Sequence, residues 1–453
     1  MDGATLANTG LTQALAQHAS TMAYEAVPEP VRELARQCVL DYYGVALAGA
    51  DDELVAILLD EMVDAGGAAQ ASLIRRKEKL PILAAALVNG GASHALDYDD
   101  VNLAMPGHPS VAILPALLAL TEMKNSSGKE VLTAFVAGYE TACRVGMAIR
   151  PGHYGRGFHA TGTVGAFGAA AACARLLGLD AEATARALGI AGTQSAGLKS
   201  QFGTMCKPFH AGKAAQNGLL AARLAARGFS GRIDLVECAQ GFAATHSPDF
   251  DAAAALAAPP RGFYILDNLF KYHAACYMTH APIECARQIR DRHHPTLDAI
   301  AEIKLAVHRG SDRICNIPAP ADGLQAKFSL RQTVAMALAG VDTASLGAYS
   351  AATATDPALV ALRQRVAFDF RDDCPEAGAE MSLTLRDGTE LRAEFDAGLP
   401  SADIADQGRR LAAKFDALAE PALGTSRTRE LRAAIAALDQ SATIAAITEL
   451  AAA

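Results

Sequence analysis

Over roughly its first 260 residues the chain repeats apolar positions at the spacing of an α-helix. "PEPVRELARQCVLDYYGVALAGA" carries this period and stops at Gly49. "SGKEVLTAFVAGYETACRVGMAI" opens on Ser127, a suitable N-cap, and ends before Pro151. "DAEATARALGIAGTQSAG" and "AGKAAQNGLLAARLAARG" continue the series, the second closed by Gly228. Beyond "APPRGFYILDN" the period changes. "EIKLAVHRG" alternates like a strand, and "EMSLTLRDGTELRAEF" reads as a hairpin turning at Asp387-Gly388. "FSLRQTVAMALAG" and "PALVALRQRV" lie between them and read as helical. After Pro400, "SADIADQGRRLAAKFDALAE" and "SRTRELRAAIAALDQ" return to helix. The pattern predicts a mainly α fold: a large all-helical domain built from both chain ends, residues 1–267 and 400–453. A smaller α+β domain, residues 268–399, is inserted in it.

With 453 residues, two domains are expected. Apolar residues make up 51% and charged residues 20%, the balance of a globular protein rather than a disordered one. Alanine dominates the apolar share, which favours close helix packing. The longest apolar runs, "SVAILPALLALTEM" and "TVGAFGAAAACARLLGL", are too short and too quickly ended by charge for membrane spans. The N-terminus lacks the basic start of a signal peptide. Nine cysteines without CxxC pairs suggest reduced thiols and a cytoplasmic location, not a zinc site.

A net charge of −9 argues against nucleic acid as a partner. Yet from Thr141 to Ile233 only Asp180 and Glu182 are acidic, against a long run of Arg and Lys from Arg144 to Arg232. Solvated helix faces would account for that; so would a site for a small anion.

Three segments bear on the choice. "HALDYDDVNLAMPGHPS" gathers Asp97, Asp99 and Asp100 with His94, His108 and Ser110. It allows a polar loop, an acid–base cluster or an aspartate box for Mg²⁺. A box needs a second carboxylate cluster on a facing helix, which the sequence does not offer, and Pro106-Gly107 would break a continuing helix. "YGRGFHATGTVGAFGAA" places Tyr154, Arg156 and His159 ahead of a Gly/Ala-rich helix, and "KSQFGTMCKPFHAGKAAQNG" places Lys199, Lys207, His210 and Lys213 ahead of another. With "GHPSVAILPALL", a polar or basic side chain precedes a helix N-terminus three times, an arrangement suited to several carboxylates. "GTVGAFG" follows no strand, so it is no dinucleotide fingerprint. HExxH, GxSxG and P-loop motifs are absent. "KYHAACYMTHAPIECA" adds Lys271, His273, Cys276 and His280, dense chemistry for a helix start.

Together, "NGGASHALDYDD…HPS", "GRGFHATGTVGAFGAAAA", "KPFHAGKAAQNGLLAA" and "KYHAACYMTH" resemble the MmgE/PrpD family over nearly the whole chain and in family order. The resemblance implies a helical domain with an α+β lid, a cytoplasmic homodimer, no metal or organic cofactor, and a di- or tricarboxylate substrate. It implies catalytic roles for Asp97, His108, His159 and Lys207, and substrate contacts from Ser110, Asn102, Tyr154, His210, Lys271, Cys276 and His280. Val101, Cys276 and the "CNIPAP" segment depart from the branch that decarboxylates cis-aconitate. The expected activity is therefore a hydro-lyase of the 2-methylcitrate dehydratase kind, although that branch is usually longer and has a different lid motif. An iminodisuccinate-type epimerase comes next, then a cis-aconitate decarboxylase. A Mg²⁺-dependent helical lyase and a non-catalytic carboxylate-binding protein are the distant alternatives.

Overall fold

The computed structural model describes residues 10–452. The protein is mainly α with one four-stranded sheet, and it divides into two compact units. One runs to Phe270 and resumes at Ala402; the other is Lys271–Ser401.

The first unit contains α1 (Leu11–Thr21), α2 (Glu29–Gly49), α3 (Glu53–Ala65), α4 (Ile82–His94), α5 (Pro109–Lys124), α6 (Gly128–Ile149), α7 (Ala160–Leu177), α8 (Ala181–Gly192) and α9 (Cys206–Ala226). Ser127 caps α6 in a full capping box with Glu130, as the sequence predicts. Helix α7 is apolar around its whole circumference, and such a helix must be enclosed. Among the described residues it is the one helix long and apolar enough to cross a membrane, and 89% of it lies buried inside the fold.

Small side chains let these helices touch backbone to backbone. Ala112, Ala166 and Ala214 form a buried contact between α5, α7 and α9. A Cβ on Gly90 would stand 2.6 Å from Gly212 Cα, and one on Gly212 would stand 2.3 Å from the Leu87 carbonyl. Larger residues there would separate α4 from α9. This closeness brings the end of α4 beside the starts of α5, α7 and α9.

Glu140 on α6 is buried and accepts the Ile265 N–H at 3.0 Å. Burial pushes its carboxyl up to about 7, despite the N–H groups of Tyr264 and Ile265 and the charge of Arg144; Asp267 adds to the rise. Between its unfolded value of 4.5 and about 7 the folded chain holds a proton that the unfolded chain has lost. This contribution is complete below 4.5 and drains away as pH rises through 7, by on the order of 3 kcal/mol. Glu140→Gln cannot titrate. Its melting temperature relative to wild type is therefore expected to rise between pH 5.5 and pH 8; a difference independent of pH would refute this assignment.

The second unit supplies α10 (His280–His293) and α11 (Leu330–Leu338), and the first unit resumes with α12 (Ile404–Leu423) and α13 (Thr425–Ala436). Helix α12 packs on α2, with Phe415 against Gly44 and Gln407 donating to Gln37 at 2.9 Å. Lys414 is buried in this contact. Its ammonium donates to Asp41 at 2.6 Å and to the Tyr98 carbonyl at 2.7 Å.

The second unit holds β1 (Ile300–His308), β2 (Val366–Arg371), β3 (Gly378–Leu385) and β4 (Glu390–Asp396), in spatial order β2-β1-β3-β4. β1 and β2 are parallel, and the other pairs are antiparallel. The predicted hairpin is β3–β4, turning at Gly388, whose φ of +88° suits glycine. Ile303, Leu305, Val307, Met381 and Leu383 are buried, and α10 packs on β3 and β4 through its own buried Ile283, Ala286 and Ile289. The apolar pattern did not reveal β2. The helix expected through "PALVALRQRV" stops at Arg363, and Val366 starts an edge strand that is only partly buried.

Candidate active site

The stretch joining α4 to α5 folds back on itself. Asp97 takes φ +50°, which aspartate tolerates because its short side chain can bond locally, and its N–H returns to the His94 carbonyl. Val101 then bridges to Leu269 and Asn102 to Gly107. The three aspartates consequently serve different neighbours. Asp97 and Asp99 meet a group of basic side chains, whereas Asp100 accepts the Ser110 hydroxyl at 2.5 Å.

His94 ends α4, His108 and His159 occupy the N-cap positions of α5 and α7, and Lys207 lies in the first turn of α9. Their contacts run continuously. Lys207 Nζ is 2.7 Å from Asp97 Oδ2, and His108 Nε2 is 3.6 Å from Asp97 Oδ1. His108 Nδ1 lies 2.9 Å from Asp99 Oδ2, a charge contact off the axis of a good hydrogen bond. His94 Nδ1 donates to Asp99 Oδ1 at 2.9 Å. The His94 ring stacks on His159 with centroids 5.9 Å apart, and His159 Nδ1 meets His210 Nδ1 at 3.1 Å. Phe202 sets its ring edge-on to His159 and lies under the Lys207 ammonium.

Electrostatics assign charge states to this chain of groups. Burial lowers His94 to about 4 against the opposing pull of Asp99, so at neutral pH it is uncharged and presents Nδ1–H to the carboxylate. Burial alone would raise Asp99, but the neighbouring His108 and His94 outweigh it and hold it well below the carboxylate range. Burial also drives His159 far below 6.5, helped by the positive charge that His94, Lys207, His108 and His210 can carry. Burial, then Asp41, lifts Asp100 to about 7. The site thus pairs an ionised, buried carboxylate with neutral imidazoles, which are bases rather than acids.

Profile models of known families account for most of the chain. The MmgE/PrpD N-terminal domain matches residues 13–255, and the MmgE/PrpD C-terminal domain matches residues 273–440. The chain belongs to the MmgE/PrpD family. Among MmgE/PrpD relatives, the cis-aconitate decarboxylase of Aspergillus terreus is 27% identical over 98% of this chain and 96% of its own length. The human cis-aconitate decarboxylase is 30% identical over 70% of this chain and 68% of its own, and the mouse enzyme 28% over 80% and 77%. Family and relatives support a lyase-type function.

Seen as an MmgE/PrpD site, the cluster unites Asp97, His108, His159, Lys207 and His210 from the residues singled out in the sequence. It adds His94 and Asp99, whose signal was their place in the same seventeen-residue stretch. The remaining predicted residues have these surroundings. Asn102 is buried and donates to Tyr139 Oη and the Tyr264 carbonyl while accepting the Ala104 N–H, and the Ser110 hydroxyl goes to Asp100. Tyr154 is exposed beneath the Lys199 ammonium, 3.6 Å from its ring centre. Lys271, Cys276 and His280 are buried in the second unit, where the His280 ring contacts His273 and Tyr277.

His94, Asp97, Asp99 and His108 offer ligand atoms within 4.8 Å of one another, a set that could hold a cation. Two imidazoles suit Zn²⁺ or Mn²⁺ better than Mg²⁺. An ion would displace partners already there, since Asp97 meets Lys207 and each oxygen of Asp99 meets a histidine.

Proposed function

We propose that the protein is a lyase that removes a proton from the carbon beside a carboxylate of a small di- or tricarboxylate, and specifically a hydro-lyase of the 2-methylcitrate dehydratase kind. The observation that carries this reading is a buried, neutral His159 next to two histidines held on one ionised aspartate. A proton α to a carboxylate is weakly acidic, so its removal needs a base and cationic or N–H partners for the enediolate. His159 is the base. Lys207 and the first-turn N–H groups of α7, whose N-cap supplies no side-chain bond, receive the substrate carboxylates. His108, supported by Asp99, delivers a proton to the departing hydroxide. Asp97 neutralises Lys207 until a substrate carboxylate takes its place.

A second reading, decarboxylation, is favoured by the names of the relatives, of which the Aspergillus terreus enzyme matches 98% of the chain. Epimerisation would follow if a second base returned the proton from the opposite face.

The test is proton NMR of EDTA-treated protein in D₂O with 2-methylcitrate, citrate, cis-aconitate, malate or iminodisuccinate. The expected result is exchange of an α-proton together with water loss, unaffected by EDTA. His159→Gln should slow exchange by at least ~10²-fold, the lower range for a general base. Release of CO₂ would establish the second reading, and activity that requires added metal would overturn the mechanism.

A further inference from the structure

The contact between His159 and His210 joins two Nδ1 atoms, which imposes a rule that other hydrogen bonds in the site lack. Each ring nitrogen of a neutral imidazole either donates or accepts. Two Nδ1 atoms 3.1 Å apart therefore bond only when one carries a proton and the other does not. The two rings must be opposite tautomers. If Nδ1 of His159 is protonated, its Nε2 is a bare lone pair and His210 carries its proton on Nε2. If the shared proton crosses, both assignments reverse.

We infer that His210 is a positioning residue that sets the tautomer of His159 and, by accepting one proton across the Nδ1···Nδ1 bond, lets His159 Nε2 take up the substrate proton without the ring becoming a cation. The inference rests on the proposal that His159 takes the substrate proton.

Both rings are clamped for this exchange. The His159 N–H donates to the Gly197 carbonyl at 3.0 Å. A Cβ on Gly197 would lie 3.3 Å from His210 Cγ, and one on Gly162 would lie 3.1 Å from His210 Cβ, so the His210 ring sits directly against both backbones. Phe202 holds the other side of His159. Among the described residues nothing hydrogen-bonds Nε2 of His159, which leaves that atom to a substrate. His159 is 2% exposed while His210 is partly open to solvent, so the pair points from the buried site outward.

The proton count closes. The substrate C–H breaks, its electron pair stays on carbon, and its proton binds His159 Nε2. The Nδ1 proton of His159 passes to His210 Nδ1, and the Nε2 proton of His210 leaves to water. Neither ring ends charged. That matters because burial, and then His94, Lys207 and His108, oppose a cation at His159. His159 finishes with a proton on Nε2 and a bare Nδ1; it is reset when Nε2 gives its proton to water, His210 returns the Nδ1 proton, and water reprotonates His210 Nε2.

The experiment is two-bond ¹⁵N–¹H correlation NMR on ¹⁵N-histidine-labelled full-length protein without substrate, assigned by the signals missing from His159→Gln and His210→Asn. The expected spectrum shows His159 and His210 as opposite tautomers, and His210→Phe changes the tautomer of His159. His210→Asn keeps an amide opposite Nδ1 but cannot pass a proton through; its turnover should fall roughly tenfold or more with KM unchanged. Identical tautomers in the two rings, an unchanged His159 spectrum in His210→Phe, or full turnover by His210→Asn would each overturn the inference. Because the spectra need no turnover, they stay readable if none of the tested carboxylates reacts, in which case it is the proposed reaction that fails.

Discussion

Asp99→Asn is expected to lower turnover by ~10⁴-fold, the scale seen when a carboxylate that orients a catalytic histidine becomes an amide. Asp99 accepts from His94 through one oxygen and contacts His108 through the other. An amide offers one acceptor and one donor. It can keep His94 as it is, but its NH₂ then faces His108 Nδ1 and imposes the opposite tautomer, or the amide turns and His94 suffers instead. The site also loses its buried negative charge. Because the substitution is isosteric, the folded structure should persist. Steady-state kinetics with whichever carboxylate reacts, beside circular dichroism and a thermal melt, will check this. A loss of less than tenfold in a folded variant would mean that Asp99 is structural.

The second large effect lies outside the cluster. Lys414→Met removes a buried cation that donates to Asp41 and to the Tyr98 carbonyl, and whose ammonium sits 4.0 Å above the Tyr98 ring. Breaking a buried ion pair from one side costs ~3–5 kcal/mol. Tyr98 stands between Asp97 and Asp99, so the loss should also disturb the carboxylates that hold Lys207 and the two histidines. A lowered denaturation midpoint is expected, with turnover reduced even at temperatures where the variant is folded. Lys414→Met combined with Asp41→Asn should recover part of the stability, because the remaining charge is removed as well. A single variant as stable as wild type would show that Asp41 is satisfied without Lys414.

Several features of the fold and of the site are legible in the sequence. Periodicity located α2, α6 and the β3–β4 hairpin, and the recurrence of basic residues at helix starts put His108, His159 and Lys207 on one list. The division of labour among the three aspartates was not legible. It depends on the turn at Asp97 and on the pairing of Val101 with Leu269, a residue far along the chain. For the same reason the sequence does not reveal that Ser110 and Asn102 hydrogen-bond to Asp100, Tyr139, Tyr264 and Ala104. His94 reads in sequence as the polar end of an apolar helix. Only the close approach of helices with small side chains makes it a neighbour of His108 and His159. Strand β2 went unseen because its six residues follow directly on the helical pattern of "PALVALRQRV", which takes in Val366.

The bond from Lys414 to Tyr98 spans 316 residues of sequence. Contacts of such separation form late, because a long loop must be closed before they bring any return. On the ribosome, Lys414 emerges only after the entire Lys271–Ser401 unit has been made. A nascent chain can therefore assemble the helices that precede Lys271 well before the turn bearing Asp97 and Asp99 is secured, and the proposed proton abstraction must wait for a segment made after the whole second unit.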